Sequence, residues 1–262
     1  MPGTVRTAGR TRRLSKLMPM DLGLAGRTAI VCGASSGMGL AIAEALASEG
    51  ANVAMFARRR DLLEREAERI GALGVRGDLT VPSDLQRLVE QTVDAFGGID
   101  VLVNNGGGPP PGPAAGVADE AVEGAVELLL LSAIRLTNLC LPYLEASGRG
   151  RIVNIESSSV RSPIDNLALS NALRPGVVGW MKTLAREVGA KGITVNTIAP
   201  GMIDTERLRS IPGVRDVSQI PLGRVGEPSE IAAVACFLAS DRAGYVTGAV
   251  VPVDGGVTRN LL

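Results

Sequence analysis

A glycine-rich turn, Cys32-Gly33-Ala34-Ser35-Ser36-Gly37-Met38-Gly39, stands between a short apolar run and a strong helical pattern over 40–48. Glycines there let the backbone approach a pyrophosphate, whose charge is favoured at the helix N-terminus that follows. Gly33, Ser35, Ser36, Gly37, Met38 and Gly39 are therefore candidates to hold a dinucleotide. The spacing is GxxxGxG rather than GxGxxG, and a tight turn alone would also use three glycines. Eighteen residues after Gly39, the second apolar run ends in Ala57-Arg58-Arg59-Arg60. An acid at this place takes the adenosine ribose hydroxyls of NAD, whereas a 2′-phosphate calls for arginine. Ala57 offers no carboxylate and Arg58 supplies a guanidinium. Basic residues are also unfavourable at a helix start, so the run points to NADP(H) over NAD(H).

Composition removes several other chemistries. The 262 residues include no histidine, so a Ser-His-Asp triad, a His-paired cysteine and a histidine-ligated metal are excluded, and no metal-ligand set is identified. Two tyrosines, one tryptophan and three phenylalanines leave no stacking platforms for single-stranded nucleic acid, and a net charge of zero argues against a phosphate-backbone binder. Cys32, Cys140 and Cys236 are far apart in apolar company, which suits buried thiols in a reducing, cytoplasmic setting. No apolar run reaches the roughly 18 residues of a membrane span.

These residues need elements to position them. Val/Ile-rich runs occur at Thr28–Cys32, 52–56, 101–103, Arg151–Ile155, 193–198 and 249–253, separated mostly by helix-length stretches with apolar residues three and four apart. Near-continuous apolar strands with helical crossovers predict an α/β fold, a doubly wound parallel sheet of Rossmann-like type in a single domain over 20–262. The segment 106–116 is too rich in Pro and Gly for regular structure. Residues 1–19 carry Arg6, Arg10, Arg12, Arg13 and Lys16 with no acid and no apolar periodicity, which predicts a disordered basic extension before Met20.

With these features in place, residues 21–257 resemble the short-chain dehydrogenase/reductase family, and within it the 3-oxoacyl-carrier-protein reductases. The resemblance rests on Gly33 to Gly39, Gly77-Asp78-Leu79, Asn104-Asn105-Gly106-Gly107, Arg151-Ile152-Val153-Asn154-Ile155 and Asn196-Thr197-Ile198-Ala199-Pro200-Gly201-Met202-Ile203-Asp204-Thr205. Pro221 to Arg224, Tyr245 to Gly248 and Val253 to Gly256 complete it. It implies that Asp78 and Leu79 meet the adenine, that Asn105 and Gly106 line the cofactor site, and that Pro200, Gly201, Ile203 and Thr205 hold the nicotinamide end. Packing of helices across subunits, giving a homotetramer or dimer, is implied as well.

The active-site pattern departs from the family. Ser157 stands at the family serine, but thirteen residues on, where tyrosine belongs, is Ser170; Arg174 takes the place of lysine, and Leu129 that of asparagine. A serine hydroxyl is a far weaker acid than tyrosine, and arginine effectively never releases its proton. Ser170 and Arg174 are four apart and share one helix face. With Ser157 they can form a donor cluster around a developing alkoxide, while Arg174 also holds the nicotinamide ribose.

Other candidates are weighed lower. Glu156, directly before Ser157, is an alternative acid if buried, but strand alternation points it to the opposite side from Ser157. Asp165, Asp204, Arg207, Arg209 and Arg215 read as solvated loop residues, and Leu128 to Leu131 as packing. The expectation is an NADP(H)-dependent oxidoreductase moving hydride between nicotinamide and a carbonyl or secondary alcohol, on a small ketone or 3-oxoacyl thioester. A non-catalytic NADP(H)-binding homologue is the alternative.

Overall fold

A computed structural model describes residues 21–210 and 216–259. The expected basic extension over 1–19 lies outside the described residues. Seven parallel strands form one sheet: β1 (Thr28–Cys32), β2 (Asn52–Ala57), β3 (Leu73–Arg76), β4 (Val101–Asn105), β5 (Arg151–Ile155), β6 (Thr194–Pro200) and β7 (Val250–Val253). Their order is β3-β2-β1-β4-β5-β6-β7. The chain winds outward from β1 in both directions, so this is the doubly wound α/β architecture that the apolar runs predict. Six of the seven strands are legible in sequence. The seventh, β3, has four residues with Gly74 among them, too short to show a pattern.

Helices cover both faces. On one side lie α1 (Gly37–Ser48), α2 (Arg60–Ile70) and α8 (Pro228–Ala239); on the other lie α3 (Pro82–Phe96), α5 (Ser132–Ser147) and α6 (Ala168–Val188). Two short helices, α4 (Asp119–Ala125) and α7 (Glu206–Arg209), flank the carboxyl edge of the sheet. Strand alternation divides the core: Ala29, Val31, Val101, Val103 and Val153 face the first layer, while Ile30, Cys32, Leu102 and Ile152 face the second. A buried guanidinium closes the amino edge. Arg27 is fully buried, donates to the Ala239 carbonyl at 3.3 Å and pairs with Asp241, tying the entry of β1 to the end of α8.

One long helix runs from Asp119 to Ser147, with a π-helical segment, Val126–Leu131, between α4 and α5. By length and composition it is apolar enough to cross a membrane, although no uninterrupted apolar run in the sequence is that long. Its α5 portion instead packs on β4 and α3, and Leu136, Cys140 and Leu144 are fully buried. Pro142 sits inside α5, and Tyr143 after it packs, partly buried, against the second core layer.

The winding direction reverses between β1 and β4, and a crevice opens there at the carboxyl ends of the strands. Asn105, the last residue of β4, donates through Nδ2 to the Cys32 carbonyl at 3.0 Å and clamps the two strand ends together. Gly39 fits under this clamp: a Cβ there would meet the Gly33 carbonyl at 2.3 Å and Asn105 Nδ2 at 2.7 Å. Gly39→Ala should cost about 1–3 kcal/mol by overpacking, lowering Tm by roughly 2–4 °C per kcal/mol. Gly124→Ala, in open space on α4, should leave Tm unchanged or raise it. Paired thermal melts check both.

Candidate active site

Two cavities meet at the crevice. The first, about 640 Å³, runs along the glycine turn and brings together Gly33, Ser35, Ser36, Gly37, Met38, Gly39, Arg58, Asp78, Leu79, Asn105, Gly106 and Thr205. Gly33 and Gly37 have φ of 60° and 58°, values that side chains rarely adopt. Ser36 is the N-cap of α1 but makes no side-chain cap. Its hydroxyl accepts from Arg59 Nη2 at 2.5 Å. Arg59 also pairs with Glu206 at 2.8 Å, so it spans the mouth of the cleft. Arg58 lies 3.8 Å from Asp78 and remains 78% exposed. The basic run therefore offers two guanidiniums at the end of β2, and Arg59 is a site candidate that sequence reading left out. Asp78 Oδ1 accepts from Thr80 N and Oγ1, both at 2.9 Å, which fixes its loop.

The second cavity, about 690 Å³, contains Ser157, Ser170, Arg174, Pro200, Gly201 and Ile203, and shares residues with the first that include Met38, Asn105, Gly106, Thr205 and Arg207. Every candidate taken from the sequence thus lines one cavity or the other. Ser157 follows β5 in extended conformation, and its Oγ accepts from Ser159 N at 3.1 Å. Ser170 and Arg174 lie on α6 one turn apart, and Arg174 Nε donates to Ser170 Oγ at 2.8 Å. Both hydroxyls thus have an acceptor position filled by an N–H while neither proton has a partner among the described residues. Each is left to donate into the cavity.

Glu156 corrects the sequence expectation. It lines the same cavity as Ser157, and its carboxylate pairs with Arg174 Nη1 at 3.0 Å, with the two side chains 7% and 9% exposed. Alternation stops separating neighbours here because β5 ends at Ile155, ahead of both. Burial pushes the Glu156 carboxyl up to about 7, outweighing the Arg174 charge and hydrogen bond that pull it down. Arg174 Nη2 also reaches the Gly107 carbonyl at 3.5 Å, so this one side chain contacts β5, α6 and the 106–116 loop.

Beside Glu156 and Arg174 is a small void of about 20 Å³, bordered by Asn104, Leu129 and Ser132. That is room for one water. Leu129 belongs to the π-helical segment, a feature frequent at functional sites. Leu128 lines the nucleotide cleft as well as the void, so the leucine run is more than packing.

Arg207 is a second correction. It is exposed yet anchored in the cavity wall, donating to the Gly108 carbonyl at 2.8 Å and the Pro109 carbonyl at 3.0 Å. Surrounding protein, and then the Arg174 charge, lower its pKa. Arg209 pairs with Asp204 at 2.8 Å at the surface, Asp165 is exposed at the cavity rim, and Arg215 lies outside the described residues. Cys32 and Cys236 are pushed up to about 12 by burial and Cys140 is raised too, so all three thiols stay protonated and away from chemistry.

Residues 33–258 match the family model described as enoyl-(acyl carrier protein) reductase. The 3-oxoacyl-(acyl-carrier-protein) reductase of Vibrio cholerae serotype O1 is 36% identical over 243 residues, covering 90% of this chain and 99% of that protein. Its counterpart in Pseudomonas aeruginosa is 39% identical over 246 residues, covering 90% and 99%. The chain belongs to the short-chain dehydrogenase/reductase family. Among solved structures, L-sorbose reductase from Gluconobacter frateurii, complexed with NADPH and L-sorbose, superposes with a TM-score of 0.84 at 34% identity, covering 92% of this chain and all of that one. An NADPH-dependent reductase of bacilysin biosynthesis gives 0.85 at 27%, covering 90% and 99%.

Glu156 makes the fold pH-dependent in a defined direction. Its folded pKa lies above the unfolded value of 4.5, so the folded chain binds the extra proton between about 4.5 and 7. Its contribution is greatest below 4.5, falls as pH rises to about 7 and is flat beyond. The full change is roughly 3 kcal/mol at most. Glu156→Gln, which keeps the shape and removes the titration, should flatten this part of the stability curve. Urea unfolding from about pH 5 to about pH 8 measures it, and equal slopes in both proteins would contradict the assignment.

Proposed function

We propose that this chain is an NADP(H)-dependent oxidoreductase that reduces a carbonyl group, or oxidises the corresponding secondary alcohol, using Ser157, Ser170 and Arg174. The single observation that carries this reading is the pair of hydroxyls whose protons are left free to point into one cavity. A protein that only bound nucleotide would have no use for such a pair.

The residues present fit NADP(H). The glycine cradle would be filled by side chains at Gly33 or Gly39, α1 presents its N-terminus without an acidic first turn, and the end of β2 carries Arg58 and Arg59 after Ala57. Two arginines and no carboxylate at that strand end suit a 2′-phosphate. Gly33, Ser35, Ser36, Gly37, Met38 and Gly39 would hold the pyrophosphate, Arg58 the 2′-phosphate, and Asp78 and Leu79 the adenine. Asn105, Gly106, Arg174, Pro200, Gly201, Ile203 and Thr205 would surround the nicotinamide end. When bound, the cofactor supplies or accepts hydride.

The chain's own residues then have separate tasks. Ser157 and Ser170 donate hydrogen bonds to the substrate oxygen as charge builds on it, each such donor contributing about 3–4 kcal/mol. Arg174 holds Ser170 by its oxygen, which fixes the direction of the hydroxyl proton and adds positive charge nearby. Glu156 fixes Arg174. Among the described residues no tyrosine or lysine lines the cavity and Glu156 is engaged with Arg174, so in this reading the last proton comes from water in the open cavity. Losing general-acid help typically costs about 10²–10⁴ in rate, which predicts a slow enzyme.

The substrate class in this reading is a small ketone or a 3-oxoacyl thioester. Assembly is a homodimer or homotetramer through the 119–147 helix and α6, in the cytoplasm. The apolar character of that helix and the three unpaired cysteines support these two points.

Stopped-flow NADPH oxidation against ketones and 3-oxoacyl thioesters tests the activity. Ser170→Ala and Ser157→Ala should each lower kcat by about 10²–10³ while the NADPH Kd moves less than about twofold. NADPH binding with no turnover on any substrate would sink the reductase reading and leave the non-catalytic one. Replacing Arg58 and Arg59 together by Ala should weaken NADPH by about tenfold or more relative to NADH. Equal losses would remove the 2′-phosphate assignment.

A further inference from the structure

The glycine run 106–108 carries an unusual load. A Cβ built on Gly108 would stand 2.7 Å from Arg207 Nη2 and 3.4 Å from Arg174 Nη2. The two nitrogens are therefore no more than about 6 Å apart, the sum of those distances. Two guanidiniums this close repel, and Arg174 does lower the pKa of Arg207. Arg174 has Glu156 as its counter-charge, whereas the partners of Arg207 among the described residues are the Gly108 and Pro109 carbonyls. The neighbouring acids are committed elsewhere, Glu206 to Arg59 and Asp204 to Arg209. Among the described residues Arg207 thus faces the substrate cavity with no carboxylate paired to it, and Asp165, the other acid of the wall besides Glu156, is exposed at the rim.

Resting on the carbonyl-reductase reading, we propose that Arg207 and Arg174 form a carboxylate subsite, and that the substrate is an oxo acid whose carboxylate lies close to the carbonyl being reduced. A guanidinium pair is matched to carboxylate by its fork of N–H donors, and Arg207 keeps N–H groups free beyond the two backbone carbonyls. Arg174 touches Ser170, so a carboxylate bound to its guanidinium lies beside an oxygen held by Ser170, which favours a substrate whose carboxylate is close to its carbonyl. A 2-oxo or 3-oxo acid meets that requirement. A thioester of a 3-oxo acid places a neutral group there and leaves Arg207 without a counter-charge. The other source of negative charge, the cofactor pyrophosphate, is served by the glycine turn. Arg207 lines both the nucleotide cleft and the substrate cavity and Arg174 lines the substrate cavity, so the space the two share belongs to the substrate cavity.

The test uses the full chain saturated with NADP⁺ and a set of 2-oxo and 3-oxo acids of about four to ten carbons, each beside its methyl ester, with affinity read by calorimetry. The best acids should bind at least about tenfold more tightly than their esters. Arg207→Gln should abolish that preference, Arg207→Lys should keep part of it, and neither should change the NADP⁺ Kd by more than about twofold. Equal binding of acids and esters by the unaltered protein overturns the proposal, and needs no variant to fold. So does a loss of NADP⁺ affinity in Arg207→Gln as large as the loss of acid affinity, which would assign Arg207 to the cofactor. Acid binding without turnover would leave the subsite standing and remove the reductase reading. Failure of the unaltered protein to bind NADP⁺ or NADPH removes the reductase reading and, with it, this proposal.

Discussion

The guanidinium of Arg174 is the joint of this site. It is nearly buried, and it joins the end of β5 through Glu156, the first turn of α6 through Ser170 and the 106–116 loop through Gly107. Three segments far apart in the chain thereby share one hydrogen-bonding centre. A buried charge of this kind holds together only as a complete set. Breaking a buried pair by removing one partner typically costs 3–5 kcal/mol, because the other is left uncompensated. The pair is also finely balanced, since burial brings the Glu156 carboxyl to about 7 and its charge is only partly present near neutrality.

Around that joint the fold does what its sheet order requires. Reversal of winding between β1 and β4 opens the crevice, the Asn105 clamp holds the two strand ends together, and glycines at 33 and 39 keep the floor of the turn clear. The nucleotide cleft and the substrate cavity are contiguous at Met38, Asn105 and Gly106. Hydride chemistry needs that contiguity, because donor and acceptor must meet without water between them.

The framework was readable in the chain because its signals are periodic. Fully buried parallel strands appear as unbroken apolar runs, and Gly33 to Gly39 falls where the first of them ends. What escaped sequence reading has local causes. The strand Leu73–Arg76 is short and carries a glycine. Glu156 was assigned by alternation, a rule that loses force one residue past the end of a strand. Arg207 looked like any loop arginine because its partners are backbone carbonyls of a segment about one hundred residues away, which leave no mark in residue types. Arg59 was visible in the basic run, but adjacency alone could not say which of three arginines turns toward Ser36. Long-range pairings of side chain with backbone are the part of a site that composition hides.

Arg174, Ser170 and Glu156 also limit how this protein can change over generations. A tyrosine placed at 170 gains a proton donor but must displace the 2.8 Å contact from Arg174. A lysine at 174 cannot form all the bonds that the planar fork makes in three directions. A change at 156 removes the group that orients the guanidinium through Nη1. A change at any one of the three disturbs bonds that the other two share, so substitutions at 156, 170 and 174 should be strongly non-additive, and each position constrains what the others can accept.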